Sequence, residues 1–292
     1  NNYQLLAEQA IKFQPNTVVI ANEQHYEALI RLLEGQDIKV FCGHEAIEQV
    51  VAMEEIEIVL TAMVCFAGLR STVAAIRAGK AIALANKETL VVAGDYIAEL
   101  AKAEKAAIIP VDSEHSALFQ CLVGEKDQTI EKIYLTASGG PFRGSNKSEL
   151  EKVTRAQALK HPNWEMGAKI TMDSATMMNK GLEVIEAKWL FGLENSQIDV
   201  IVHPESIIHS IVQFRDGSMK AQMGTPDMRT PIQYALTFPE RMGNTFPRFD
   251  FNEYRALHFE KPDMDTFANL KYAFVALEQG GNLPCALNAA NE

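Results

Sequence analysis

Three carboxylates, two lysines and a set of hydroxyl and amide side chains carry the chemistry open to this chain. Asp112-Ser113-Glu114 follows the apolar run Ala107-Ile-Ile-Pro-Val111. Two carboxylates and a hydroxyl are thus expected to emerge together at a strand end, where open α/β sheets place ligands. Downstream, in the run from His161 to Glu183, Ser174, Asn179 and Lys180 offer a hydroxyl, an amide and a cation near an expected helix start. Such a set suits an anion held through charge-assisted bonds. Glu183 follows one turn later. With Asp112 and Glu114 it makes three hard oxygen donors, the type that suits Mg²⁺ or Mn²⁺ with positions left for water or substrate. An anion clamp beside a hard-metal triad points to a phosphosugar enzyme.

Each residue also has a plainer reading. Asp112 can cap a helix with Glu114 in its favourable first turn, which is compatible with metal ligation. The two carboxylates are expected to converge through a turn of the backbone at Ser113. Ser138-Gly139-Gly140 is either an anion nest or an ordinary glycine turn. Asn179 can be a helix cap and Lys180 a solvated lysine. In Asn86-Lys87-Glu88, Lys87 either reaches a substrate oxygen or sits on the surface at a helix start. Trp164 and Met166, bracketed by Pro162 and Gly167, read as a closing flap or as core anchors. His161 contacts an anion or starts a loop. His209 reads as a satisfied core or interface histidine, and Met177-Met178 as packing.

The elements that must position these residues follow from hydrophobic period. From Thr17 to Val111, short apolar runs (Val18–Ile20, Lys39–Phe41, Ile58–Leu60, Ile82–Leu84, Ile108–Ile109) alternate with helical segments, the rhythm of a parallel sheet. A long amphipathic helix over Leu90–Lys105 is opened by Asn86 as cap. Beyond Val111, Ile130–Thr136 is an expected strand, and the later strands Asp199–His203, Ser206–Phe214 and Met219–Met223 are spaced for antiparallel pairing, with Asp216-Gly217 as a hairpin turn. Phe238–Pro262 reads as an irregular connection to a helical tail from near Thr266. The expected class is α/β. A Rossmann-like parallel-sheet domain, N-terminally truncated, spans residues 1–111. An α+β catalytic domain spans 112–240, and a connection with the start of a C-terminal helical region spans 241–292. The chain reads as cut at both ends.

The formal charge of -11 over 292 residues, with no basic stripe, argues against a nucleic-acid surface. An anionic ligand then needs a local site. Cys42, Cys65, Cys121 and Cys285 are scattered without a C-x-x-C pair and are expected as buried, reduced side chains in a cytoplasmic protein. No apolar run reaches membrane-spanning length.

Several runs together, Ala83–Val91, Pro110–His115, Ala137–Arg143, His161–Phe191, Gly224–Pro231 and Ala286–Glu292, closely resemble the 1-deoxy-D-xylulose 5-phosphate reductoisomerase family. The likeness extends over essentially the whole chain. It implies an NADPH-dependent enzyme of the non-mevalonate isoprenoid pathway, a fosmidomycin target. Such an enzyme makes 2-C-methyl-D-erythritol 4-phosphate by metal-assisted retro-aldol/aldol rearrangement and hydride reduction. By similarity, Asp112, Glu114 and Glu183 hold the metal, and Ser138, Ser174, Asn179 and Lys180 bind phosphate with His161 nearby. Lys87, Ser113 and Glu114 would contact the reacting backbone. Asn86, Glu88 and Gly167 match cofactor positions, Trp164 and Met166 match the flap, and a homodimer is implied. The family's Gly-rich dinucleotide turn is not in this sequence, and Met63–Phe66 is bulkier than the small residues expected before Ala67-Gly68. Two other readings compete: a metal-dependent phosphosugar isomerase or aldolase without nicotinamide, and a non-catalytic phosphosugar-binding module.

Overall fold

The computed structural model describes residues 2–126, 129–160 and 166–292. Strands β1 (Thr17–Ile20), β2 (Lys39–Cys42), β3 (Ile58–Thr61), β4 (Ala81–Leu84) and β5 (Ile108–Pro110) alternate with helices α1 (Tyr3–Phe13), α2 (Tyr26–Leu32), α3 (His44–Val51), α4 (Leu69–Arg77) and α5 (Glu88–Glu104). All pairings among these strands are parallel, β1 with β2 and β3-β4-β5 in that order. The expected Rossmann-like rhythm is therefore present. Ile82, Ala83 and Leu84 of the central strand β4 are fully buried, as a parallel strand covered on both faces must be.

The second half adds α6 (Ser113–Leu122), β6 (Ile130–Ala137), the short helices α7 (Lys147–Leu150) and α8 (Arg155–Ala158), α9 (Ala168–Ala175), α10 (Met178–Phe191), β7 (Ile198–Val202), β8 (Ile208–Phe214), β9 (Met219–Met223) and α11 (Arg229–Thr237). Its sheet has the order β7-β6-β8-β9. Here one expectation is corrected. β8 pairs antiparallel with β6 and with β9, but β7 pairs parallel to β6. The connection from β6 to β7 carries α9 and α10 back along the sheet, and such a crossover returns the chain in the same direction. The Asp216-Gly217 turn joins β8 to β9 as expected, with Gly217 at φ +83°.

Helix α10 is the beam that positions the site. It is buried on most sides, and Leu182, Val184, Ile185 and Ala187 are almost wholly inaccessible. Each large apolar side chain buried this way contributes about 1.5–3 kcal/mol. Near its end, Trp189 packs against both the β6–β8 core and the β3–β4 core. A Cβ on Gly94 of α5 would lie 2.1 Å from the Trp189 ring, so a glycine is required there. Residues 238–267 are largely irregular, apart from a bridge between Val202 and Glu260. Two helices follow, α12 (Ala268–Gln279) and α13 (Leu283–Asn291). All four cysteines are free. Only Cys121 is buried, while Cys42, Cys65 and Cys285 are half-exposed because they sit at strand, loop and helix edges, which corrects the expectation of four buried thiols. Among the described residues, no helix is long and apolar enough to cross a membrane.

Candidate active site

Three chain turns deliver the charged side chains. At the first, β4 ends and Asn86 caps α5: its Oδ1 accepts from Thr89 N and Oγ1 (both 2.9 Å). Its Nδ2 donates to the Cys65 carbonyl at 2.7 Å and to that of Met63. Asn86 is buried and staples the loop after β3 to the start of α5, which holds Lys87 in place. At the second turn, Pro110 ends β5 and Asp112 caps α6 by accepting from Glu114 N at 3.3 Å. The backbone therefore turns at Ser113, and the two carboxylates converge. At the third, Met177 adopts φ +61° and separates α9 from α10. Glu183 then lies one turn from both Asn179 and Lys180, at i, i+4 and i, i+3, where each can reach it.

These turns meet at one carboxylate cluster. Oxygens of Asp112, Glu114 and Glu183 all lie within 4.8 Å of one another. Lys87 Nζ is 2.6 Å from Asp112 Oδ2 and 3.1 Å from Glu183 Oε1, and it donates to Asn179 Oδ1 at 2.8 Å. Lys180 Nζ is 3.0 Å from Glu114 Oε1 and also pairs with Glu183. Asn179 Nδ2 donates to Glu183 Oε1 at 2.5 Å, and Ser113 Oγ to Glu114 Oε2 at 2.6 Å. Lys87, Lys180 and Glu183 are all buried. The surface-lysine reading of Lys87, the solvated reading of Lys180 and the cap reading of Asn179 are thereby corrected: long-range packing, not local pattern, buries these side chains.

Burial and charge work against each other here. Burial tends to raise Asp112, but the Lys87 ammonium and His115 hold it well below the usual carboxylate range. Burial lowers Lys87, and Asp112, Glu183 and Glu186 more than reverse this, so it stays well above the usual lysine value. Lys180 is likewise raised, burial being outweighed by Glu114 and Glu183. Glu114 is pushed up to about 7 by burial and by Glu183, with Lys180 pulling the other way. Buried charges in this density persist only as compensated networks.

The same cavity is lined by Ser138, Gly139, Gly140, Met166, Ser174, Ser206 and His209. Gly139 and Gly140 have φ +85° and +70°, and Gly140 N donates to Ser138 Oγ at 3.2 Å. A Cβ at Gly140 would sit 2.6 Å from the Ser174 carbonyl oxygen, so glycine lets the two serine-bearing segments meet. Ser138 and Ser174 thus share a cavity with Lys180, as the sequence suggested for an anion clamp. Gly167 starts α9. Glu88 lies apart from the cavity lining, ion-paired with Lys169 at 3.3 Å. His161 and Trp164 lie outside the described residues.

Two charged residues at the cluster were not singled out from sequence. His115 and Glu186 are fully buried behind Asp112 and Glu183. Glu186 lies three residues after Glu183, a spacing that places it on the same helix face and that could have flagged it. His209, read from sequence as a core or interface histidine, is buried and faces the cavity. Burial lowers it to about 4, Lys180 adding to this and hydrogen bonds with Gly224 and Thr225 opposing it.

Comparison with known proteins assigns this arrangement to a family. A profile described as 1-deoxy-D-xylulose 5-phosphate reductoisomerase matches residues 1–94, and profiles of that enzyme's C-terminal domains match 108–191 and 223–292. The chain is 60% identical over 292 residues to the 1-deoxy-D-xylulose 5-phosphate reductoisomerase of Bacteroides fragilis, covering 100% of this chain and 75% of the relative. The chain belongs to the 1-deoxy-D-xylulose 5-phosphate reductoisomerase family. The enzyme of Porphyromonas gingivalis is 58% identical with the same coverage. Among solved structures, the Zymomonas mobilis reductoisomerase in complex with NADPH is 41% identical. It superposes with a TM-score of 0.93, covering 99% of this chain and 75% of its own. A DOX-P reductoisomerase in complex with NADPH, fosmidomycin and magnesium is 42% identical with a TM-score of 0.95, covering 99% of this chain and 74% of its own.

Proposed function

We infer that this chain converts 1-deoxy-D-xylulose 5-phosphate to 2-C-methyl-D-erythritol 4-phosphate, using NADPH and Mg²⁺ or Mn²⁺. The route is retro-aldol/aldol rearrangement followed by hydride reduction. The observation that carries this reading is the convergence of Asp112, Glu114 and Glu183 within 4.8 Å, in a member of this family. Three carboxylates from two helix starts make a hard-oxygen donor set that fits a divalent cation. When bound, the ion supplies Lewis-acid polarisation of the substrate's vicinal carbonyl and hydroxyl oxygens, and NADPH supplies hydride.

The chain's own residues do the rest. Lys87 stays charged and donates toward the oxygen on which negative charge develops, the preorganised stabilisation that lowers such barriers. Glu114 is placed for proton transfer with a substrate hydroxyl, and Ser113 Oγ donates to its Oε2 at 2.6 Å. Lys87 and Lys180 neutralise the carboxylates in this structure. With Asp112, Glu114 and Glu183 holding a divalent cation, Lys180 and Asn179 would be available to bind the phosphate, together with Ser138, Ser174 and His161. Binding energy from the phosphate, remote from the bond being broken, holds the fragments in register. Met166 lines the cavity and, with Trp164, forms the flap that excludes water. Asn86, Glu88 and Gly167 serve the cofactor side. The reading includes a homodimer acting in the cytoplasm.

NADPH oxidation on addition of 1-deoxy-D-xylulose 5-phosphate and Mn²⁺, with and without EDTA, tests the reading. Metal-dependent oxidation supports it. Substrate binding without oxidation would favour an isomerase or a binding module instead.

A further inference from the structure

Glu186 is 0% exposed, yet neither of its carboxylate oxygens has a hydrogen-bond partner. His115, also 0% exposed, faces it: the His115 Nδ1 lies 3.3 Å from Glu186 Oε2 and 3.4 Å from Asp112 Oδ1, with Lys87 and Glu183 also near enough to act on the Glu186 charge. The other ring nitrogen, Nε2, lies 3.0 Å from the backbone carbonyl oxygen of Glu183. That oxygen only accepts, so Nε2 donates to it. One imidazole thus touches the side chain of Asp112 and the main chain of Glu183, which come from different elements, while Glu186 holds it from behind. A buried carboxylate is retained at a cost unless it is compensated.

We propose that Glu186 is a positioning residue of the metal centre, which through His115 fixes the separation of Asp112 and Glu183. The proposal rests on the metal reading above. Groups that orient metal ligands from outside typically change metal affinity or activity about 10- to 100-fold when they are lost.

Free Mn²⁺ measured by electron paramagnetic resonance during titration of the full chain, without substrate or NADPH, reads this directly. Glu183→Gln serves as the reference and is expected to lose the site. If it instead binds Mn²⁺ as tightly as the wild type, the metal reading fails and this proposal with it. With that reference in place, Glu186→Gln is expected to raise the Mn²⁺ dissociation constant about 10- to 100-fold. The Michaelis constant for the phosphosugar at saturating Mn²⁺ is expected to stay unchanged. His115→Gln is expected to weaken Mn²⁺ similarly, and the double variant no further, because both act through one contact. Unchanged Mn²⁺ affinity in Glu186→Gln, or additive losses in the double variant, would overturn the proposal. Should Glu186→Gln not fold, His115→Gln decides alone: weakened Mn²⁺ supports the proposal and unweakened Mn²⁺ overturns it.

Discussion

Lys87 and Glu183 are 96 positions apart in the chain and 3.1 Å apart in space. Lys87 opens the helix after the central strand of the parallel sheet, and Glu183 sits on the beam helix of the second sheet. Their contact joins the two halves of the molecule at the point where the carboxylates converge. Both side chains are buried, so each charge is stable there only with opposite charges beside it.

Removing that carboxylate tests the centre. Glu183→Gln is expected to abolish the Mn²⁺ response of NADPH oxidation. It should lower kcat on the order of a thousandfold, because a Lewis acid supplies several kcal/mol of transition-state stabilisation. Steady-state rates against Mn²⁺ concentration check this, and wild-type turnover would remove Glu183 from the site.

Lys180→Ala separates phosphate binding from chemistry. A lost charge-assisted bond is worth about 1.5–3 kcal/mol, so the Michaelis constant for the phosphosugar is expected to rise roughly 10- to 100-fold. The larger effect should fall on that constant rather than on kcat. A fall in kcat alone would mean that Lys180 serves the carboxylates and not the phosphate.

Gly140→Ala adds a methyl 2.6 Å from the Ser174 carbonyl oxygen at a φ of +70°. Destabilisation of about 1–3 kcal/mol is expected, together with weaker substrate binding as Ser138 and Ser174 separate. Gly144→Ala, at φ +84° with nothing within 4 Å of the new atom, shares the backbone penalty alone and should leave the Michaelis constant unchanged. Urea unfolding and saturation kinetics on both variants decide it.

Gly94→Ala drives a methyl into the Trp189 ring. Overpacking of this kind costs about 1–3 kcal/mol. Because α5 carries Lys87 and α10 carries Glu183, kcat is expected to fall as well. Trp189→Leu in the same chain should restore part of the stability lost, measured by thermal unfolding.

His209 makes stability depend on pH. The folded protein keeps its ring neutral down to about 4, from an ordinary value of 6.5. The unfolded chain takes up the proton first, so stability falls as pH drops through this window and levels off below it. The gap corresponds to roughly 3 kcal/mol. His209→Gln is expected to lose this share of the acid sensitivity, read from urea unfolding at about pH 7 and about pH 4. Equal pH dependence in both proteins would show that His209 titrates normally.

Local pattern was enough for much of this molecule. The five parallel strands of the first half lie where short apolar runs alternate with helical ones, because period and turn residues act within a few positions. Asp112, Glu114 and Glu183, singled out by residue type as hard oxygen donors, do bring their carboxylates within 4.8 Å of one another. Asn86 was legible as a cap because its side chain bonds to the backbone three residues on. Tertiary structure alone decided the direction of β7, since strand pairing is set by the path of the crossover through α9 and α10 and not by the strand's own residues. It decided that Lys87 and Lys180 are buried partners of carboxylates rather than surface lysines, and it brought His115 and Glu186 behind Asp112 and Glu183. Burial and charge pairing depend on which segments fold against one another, and a helix such as α10 reads the same by itself whether or not a sheet and two helices enclose it.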